Sequence, residues 1–182
     1  MNINVYTEST PNPATMKFIV NKLLINGSVD YATKESAEKS PFAKELYKFS
    51  FVNGVFFASN FVTVTKTEGT EWDDVEPILK EFVKGAVEAE LQVQLEEQEE
   101  VNFEGTDTEI KIQQILNDYV RPAVEQDGGA ISYRSFDAGV VTVELRGSCS
   151  GCPSSIITLK SGIENLLKRM VPEVTEVVSE AL

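Results

Sequence analysis

Apolar residues recur along this chain with two different periods, and the switch between them outlines its elements. Near the start, Asn4-Val5-Tyr6 and Met16-Lys17-Phe18-Ile19-Val20 read as strands on either side of the turn-rich Ser9-Thr10-Pro11-Asn12-Pro13. Val55-Phe56-Phe57 and Phe61-Val62-Thr63-Val64-Thr65 read as a hairpin about Ser59-Asn60. Between these pairs the pattern predicts a short helix over Pro41 to Phe49, capped by Ser40, with proline at the first position, where its missing N–H costs nothing. From Trp72 onward, Val75, Ile78, Leu79, Phe82, Val83 and Ala86 fall three and four apart, the spacing of an amphipathic helix.

A second set of elements follows a break in the pattern. Ile112, Ile115, Leu116, Tyr119 and Val120 share one helical face that ends near Arg121-Pro122 or a turn later. After the turn Asp127-Gly128-Gly129, residues Ala130 to Phe136 and Val140 to Arg146 alternate as strands about the hairpin turn Asp137-Ala138-Gly139. Ile156, Leu159, Ile163, Leu166, Leu167 and Met170 return to helical spacing, Pro172 stops them, and Val174 to Val178 reads as a last strand. The expected fold is α+β. Two small α+β domains, 1–88 and 107–182, are joined over 89–106 by an acidic helix extension and linker, and the second runs helix, strand, strand, helix, strand.

Charge sharpens that division. The chain has a net charge of −13, and 8 acidic residues with no basic one lie between 89 and 109. Glu96-Glu97-Gln98-Glu99-Glu100 repels itself and solvates well, so it reads as a connector. Neither flanking domain is basic overall, which leaves nucleic-acid binding through phosphate neutralisation without support. With 42% hydrophobic residues spread over 182 positions the chain can build cores, but no stretch approaches a membrane span, and no membrane partner is expected. Met1 to Tyr6 lacks the layout of a secretion signal or an organelle transit peptide, so a cytoplasmic location is expected.

The candidate chemistry is confined to one loop. The chain has 2 cysteines and no histidine, and both thiols lie in Arg146-Gly147-Ser148-Cys149-Ser150-Gly151-Cys152-Pro153-Ser154-Ser155. That loop leaves a strand, and its second cysteine sits just ahead of a helix. Unpaired N–H groups and the positive end of the helix dipole favour a thiolate there. Ser148, Ser150 and Gly151 keep the loop small, and Arg146 and Lys160 are close enough in sequence to offset negative charge. Structural zinc and iron–sulfur clusters want four ligands drawn largely from cysteine, so Cys149 and Cys152 make half a site. Two chains complete it, and a homodimer is expected when the site is loaded. Replacing either cysteine by serine is expected to abolish loading and leave the fold intact. A thioredoxin-like dithiol oxidoreductase and a zinc-bridged dimeric interaction module remain as alternatives, as does a pair of unligated thiols. Against the first, only 30 residues follow Cys152, too few for the rest of a thioredoxin-type sheet.

Around this loop the chain resembles a known family. Residues from about 107 to 182 are similar to the NifU C-terminal domain, the iron–sulfur carrier module of Nfu proteins, through Arg121-Pro122, Asp127-Gly128-Gly129 and Gly147 to Ser155. The first domain resembles the Nfu N-terminal domain through Thr10-Pro11-Asn12-Pro13, Lys17-Phe18, Ser40-Pro41, Ala43, Val55-Phe56-Phe57 and Phe61 to Thr65. Ala130 departs from the pattern, since many members carry an acidic residue after the paired glycines. The resemblance implies a [4Fe–4S] cluster bound across a dimer through Cys149 and Cys152. It also implies transfer to apo iron–sulfur proteins, with the cluster-assembly machinery as a further partner. Because every candidate ligand lies after residue 148, the first domain is expected to fold without metal and to serve partner recognition.

The remaining conspicuous residues read as architecture. Asp127, Gly128 and Gly129 suit a tight turn with positive φ, and Arg121-Pro122 a helix end. Tyr133, Phe56-Phe57 and Trp72 suit core packing. Without histidine no Ser–His–Asp or Cys–His arrangement can form, and no glycine loop for phosphate is present. A carrier rather than an enzyme is expected.

Overall fold

The computed structural model describes residues 2–94, 105–150 and 153–181 and divides into two compact units, Met1–Gln98 and Glu99–Leu182, each with its own core. The acidic run Glu96 to Glu100 lies outside the described residues.

The first unit is a five-stranded antiparallel sheet in the order β1-β2-β5-β4-β3. Its strands are β1 (Val5–Ser9), β2 (Thr15–Val20), β3 (Ser28–Tyr31), β4 (Val52–Ala58) and β5 (Phe61–Lys66), with α1 (Pro41–Leu46) against β4 and α2 (Trp72–Glu88) against β1 and β2. The Ser40 hydroxyl accepts the N–H of Ala43 at 3.0 Å, and Pro41 opens α1. The helix stops at Leu46, short of Phe49, because the chain turns there to stack Phe49 on Phe51. On α2 the buried stripe is Val75, Leu79, Val83, Ala86 and Val87. Ile78, expected on that stripe, lies on the flank and is exposed. Strand β3 was not foreseen: Ser28-Val29-Asp30-Tyr31 carries too little apolar alternation, and its pairing with β4 is a tertiary contact.

The second unit opens with α3 (Asp107–Ile115), whose start is a capping box. The Thr106 side chain accepts the N–H of Glu109, and the Glu109 carboxylate accepts the N–H of Thr106 at 2.8 Å. The helix then widens into a π turn over Leu116–Val120 before α4 (Arg121–Gln126), and the N–H of Arg121 reaches back five residues to the Leu116 carbonyl. Pro122 explains the widening. It has no N–H for the Asp118 carbonyl, and its ring crowds that carbonyl. The extra residue in the turn swings Tyr119, expected on the buried face, out to 60% exposure.

Strands β6 (Gly129–Asp137) and β7 (Val140–Gly147) form a hairpin whose two loop residues, Ala138 and Gly139, both have positive φ. A single 3₁₀ turn, Ser148–Ser150, then leads towards α5 (Pro153–Met170), which crosses over to β8 (Glu176–Ala181), parallel to β7. The last strand starts two residues later than expected because Val174 turns into the core instead. Ile112, Val124, Val141, Leu145, Ile163 and Leu167 are among the residues that close this core.

Candidate functional site

Cys149 is the third residue past Arg146 and sits in the 3₁₀ turn that leaves β7. Cys152 and Gly151 lie outside the described residues. The Cys149 side chain is only 6% exposed and belongs to the core of the second unit, the cluster that also holds Ile112, Leu145 and Ile163, as an aliphatic residue would. It is a free thiol.

The seat of that sulfur is made by the other loop singled out in the sequence. Gly128 has φ +82°, as a tight turn after α4 requires, and Gly129 begins β6 directly opposite Gly147. The reason for glycine at 129 is different from the expected positive φ. A Cβ there would stand 2.7 Å from the Cys149 Sγ and 2.7 Å from the Arg146 carbonyl oxygen, so only a residue without a side chain lets the sulfur pack. Ser148 ties the two loops together: its hydroxyl donates to the Asp127 carbonyl, and its N–H donates to the Gly128 carbonyl at 3.3 Å. The same hydroxyl lies 3.9 Å from the Cys149 sulfur.

This geometry changes the expected electrostatics. Burial pushes the Cys149 thiol above its ordinary range, the Ser148 hydroxyl offsets part of the rise, and the charge of Asp127 adds to it. The thiolate foreseen at the start of a helix is thus not the resting form of Cys149, since α5 begins only at Pro153 and the sulfur points into the core. Nor are the two cations held in reserve. Arg146 donates to the Glu144 carboxylate at 3.0 Å, and Lys160 lies 4.0 Å from Glu176. Glu144, only 1% exposed, also pairs with Arg134. Burial pushes its carboxyl up, but the hydrogen bond and charge of Arg146 and the charge of Arg134 outweigh that and leave it below its usual range. Ala130 faces Arg146 across the strands, so Glu144, two residues along the same face of β7, supplies the carboxylate that Arg146 meets.

The other residues singled out fall where an architectural reading puts them. Arg121 binds Glu125 and Asn117 within its own helical run, each at 3.0 Å. The Tyr133 hydroxyl donates to Glu109 at 2.8 Å, the indole N–H of Trp72 donates to the Pro13 carbonyl at 3.0 Å, and Phe56 and Phe57 are buried. Among the described residues no three cysteine, aspartate or glutamate side chains converge as a metal site. The contributions of Ser148 and of Gly129's bare surface carry no periodic signal. A glycine opening a strand whose hairpin partner runs into the cysteine loop is the one cue that could have suggested them.

With the geometry in hand, comparison with known proteins is informative. Residues 5–90 match the family described as scaffold protein Nfu/NifU N terminal, and residues 112–178 match the NifU-like domain. The chain is 37% identical over 179 residues to a Drosophila erecta protein named NFU1 iron-sulfur cluster scaffold homolog, mitochondrial, covering 95% of this chain and 63% of that protein. It is 40% identical over 185 residues to NifU-like protein 4, mitochondrial, of Arabidopsis thaliana, covering 97% of this chain and 65% of the relative. The human protein with the same name as the fly one is 38% identical over 175 residues, covering 93% and 69%. The chain thus spans about two thirds of the length of these relatives. The cytoplasmic expectation is corrected by these relatives, all named mitochondrial. It rested on the first residues of the chain, and an organelle address is a separate segment about which folded residues are silent.

Proposed function

The chain belongs to the Nfu family of NifU-like proteins, and from that premise we propose that it carries a [4Fe–4S] cluster as cargo, held between two copies by Cys149 and Cys152 of each, and hands it to apo iron–sulfur proteins. The observation that carries this reading is the seat of Cys149, a soft sulfur donor resting on the bare face of Gly129 and fixed by the Ser148 clamp. The relatives' printed names, which call them cluster scaffolds, support it. Its role is carriage rather than catalysis.

Each residue has a task in that reading. Gly129 and Ser148 hold the loop so that the sulfur has a defined resting seat in the metal-free chain. In the metal-free chain burial keeps the proton on Cys149, and a buried neutral thiol is a poor nucleophile and slow to oxidise. Ligation then requires the sulfur to give up its proton and turn towards the metal, so loading releases protons and is favoured as pH rises. A site split between two copies exists only while they are together, which suits cargo meant to leave. We assign cluster binding to 107–182, partner recognition to 1–88, and the connector to 89–106.

Anaerobic reconstitution with ferrous iron and sulfide tests the proposal. Loaded protein should hold about two irons per chain, that is, one four-iron cluster per two chains, and sediment as a dimer that reverts on chelation. A monomer that keeps a full cluster would overturn it. A dithiol oxidoreductase would instead show a reversible two-electron titration without metal. In a timed transfer assay, removing residues 1–88 should slow delivery to particular apo-proteins and leave cluster content unchanged.

A further inference from the structure

Helix α5 carries an outward face that its own domain does not explain. Ile157, Thr158, Ser161, Gly162 and Asn165 are all exposed and recur at i, i+1, i+4, i+5 and i+8, on one side of the helix. None is ionisable, in a chain whose charged residues make up 25% of its length. The charges within the same turns lie on the flank towards β8. Lys160 faces Glu176, and Glu164 accepts the N–H of Val177 at 3.1 Å while pairing with Lys168. Ile157 is 67% exposed, among the most exposed large apolar side chains described. Gly162 stands inside the helix, where glycine weakens it relative to alanine, yet a Cβ there would meet nothing within 4 Å. Nothing in the described fold requires position 162 to be bare.

We propose that this face is the surface on which a second copy of the chain sits, an inference that rests on the shared-cluster reading above. Two thiols per chain make the site incomplete without a partner copy. Pro153, the first residue of α5, follows Cys152 directly, and at about 1.5 Å of rise per residue Ile157 lies only about 6 Å along the axis from it. Two copies that bring their cysteine loops onto one cluster therefore bring the first turns of α5 close together. In a two-fold contact each patch meets its own image, so a charge near the axis would meet a like charge. The stretch from Ile157 to Asn165 carries no charge on this face and escapes that repulsion, because the exposed Lys168 and Arg169 lie in the last turn, the end of α5 away from the cysteine loop. Ser161 and Gly162 allow close approach, and Ile157 supplies the apolar contact.

The test uses full-length protein, ferrous iron and sulfide, and sedimentation under anaerobic conditions, with Ile157→Lys and Ile157→Glu each alone and mixed. Each alone should dimerise at least about tenfold more weakly than wild type, and the mixture should recover a heterodimer, because like charges repel and opposite charges attract at a self-contact. Since Ile157 is exposed, circular dichroism should be unchanged. Gly162→Gln, which adds bulk without charge, should also weaken the dimer while raising the thermal midpoint of the metal-free monomer. Dimers of either charged variant as tight as wild type, or weak variants that the mixture fails to rescue, would overturn the assignment, the second result pointing to a different occupant of the face. Wild type that loads fully as a monomer would instead refute the shared cluster itself.

Discussion

In the first domain aromatic rings join the aliphatic core: Phe42 stands 5.1 Å from Phe57 and 6.1 Å from the partly buried Phe82, and Phe49 stacks on Phe51 at its margin. The second domain is closed by aliphatic side chains, and one member of that core is the sulfur of Cys149. The first domain keeps its packing free of reactive groups, so its surface can vary without disturbing its interior. In the second, the proposed ligand is also a packing residue, and a change at Cys149 or beneath it touches stability and loading together.

The cysteines give the sharpest way to break that comparison. Either Cys149→Ser or Cys152→Ser should abolish stable cluster loading. The expectation that such a swap leaves the fold untouched holds for a surface loop and fails for Cys149, where a hydroxyl would replace a thiol inside the core, at a cost of about 1–3 kcal/mol. Chemical denaturation of the metal-free variants measures this. A Cys149→Ser protein as stable as wild type would show that the sulfur is not a core residue in solution.

Gly129→Ala comes next. The added methyl would stand 2.7 Å from both the Arg146 carbonyl oxygen and the Cys149 sulfur, an overpacking expected to cost about 1–3 kcal/mol and to reduce iron content per chain. Unchanged stability with full loading would count against the seat described for Cys149.

Acid should separate the domains. Glu109 is held below the usual carboxylate range by the Thr106 N–H and the Tyr133 and Thr106 hydroxyls, Glu164 by Lys168 and the Val177 N–H, and Glu144 by Arg146 and Arg134. Depressed carboxylates contribute stability above the unfolded value of about 4.3, and lose it as pH falls through their lowered folded values. In the first domain burial raises the hydroxyls of Tyr31 and Tyr47, whose contribution is complete below about pH 10 and fades above it. Trp72 is the only tryptophan and reports the first domain alone. Between about pH 5 and 3 the far-UV circular dichroism should begin to change before Trp72 fluorescence does; one coincident transition would contradict the division.

Gly85→Ala is the mildest change and carries the opposite sign to Gly129→Ala. Gly85 lies inside α2, and a Cβ there would meet nothing within 4 Å. Alanine should stabilise the first domain by about 0.5–1 kcal/mol, read from its thermal midpoint. A destabilised protein would mean that something outside the described fold occupies that space.

Much of this could be read from residue order alone, and the exceptions share a cause. The helical stripes on α2, Ile78 apart, and on α5, the hairpin at Ala138-Gly139 and the cap at Ser40 are local signals, and they stand as expected. The misses depend on contacts between residues distant in sequence or on backbone widening. Strand β3 exists through its pairing with β4, and Tyr119 left its expected face because Pro122 opens a π turn. For the candidate site, spacing singles out the loop and its two cysteines, of which Cys149 is among the described residues. The burial of Cys149 was not, because it depends on Gly129, 20 positions earlier, as the floor beneath the sulfur.

The capping box at the head of α3 has a consequence for how such a chain can be assembled from parts. Glu109 receives the N–H of Thr106 with one carboxylate oxygen and the Tyr133 hydroxyl, at 2.8 Å, with the other, riveting the start of the helix to the sheet it covers. The second domain therefore carries its own start signal, and whatever is joined upstream need not continue a helix into it. A joint placed at Gly105 keeps the signal, whereas one placed at Asp107 removes Thr106 and should lower the stability of the piece by about 1 kcal/mol. The second domain should therefore keep its stability behind an unrelated unit joined at Gly105, which thermal unfolding of such a fusion would check.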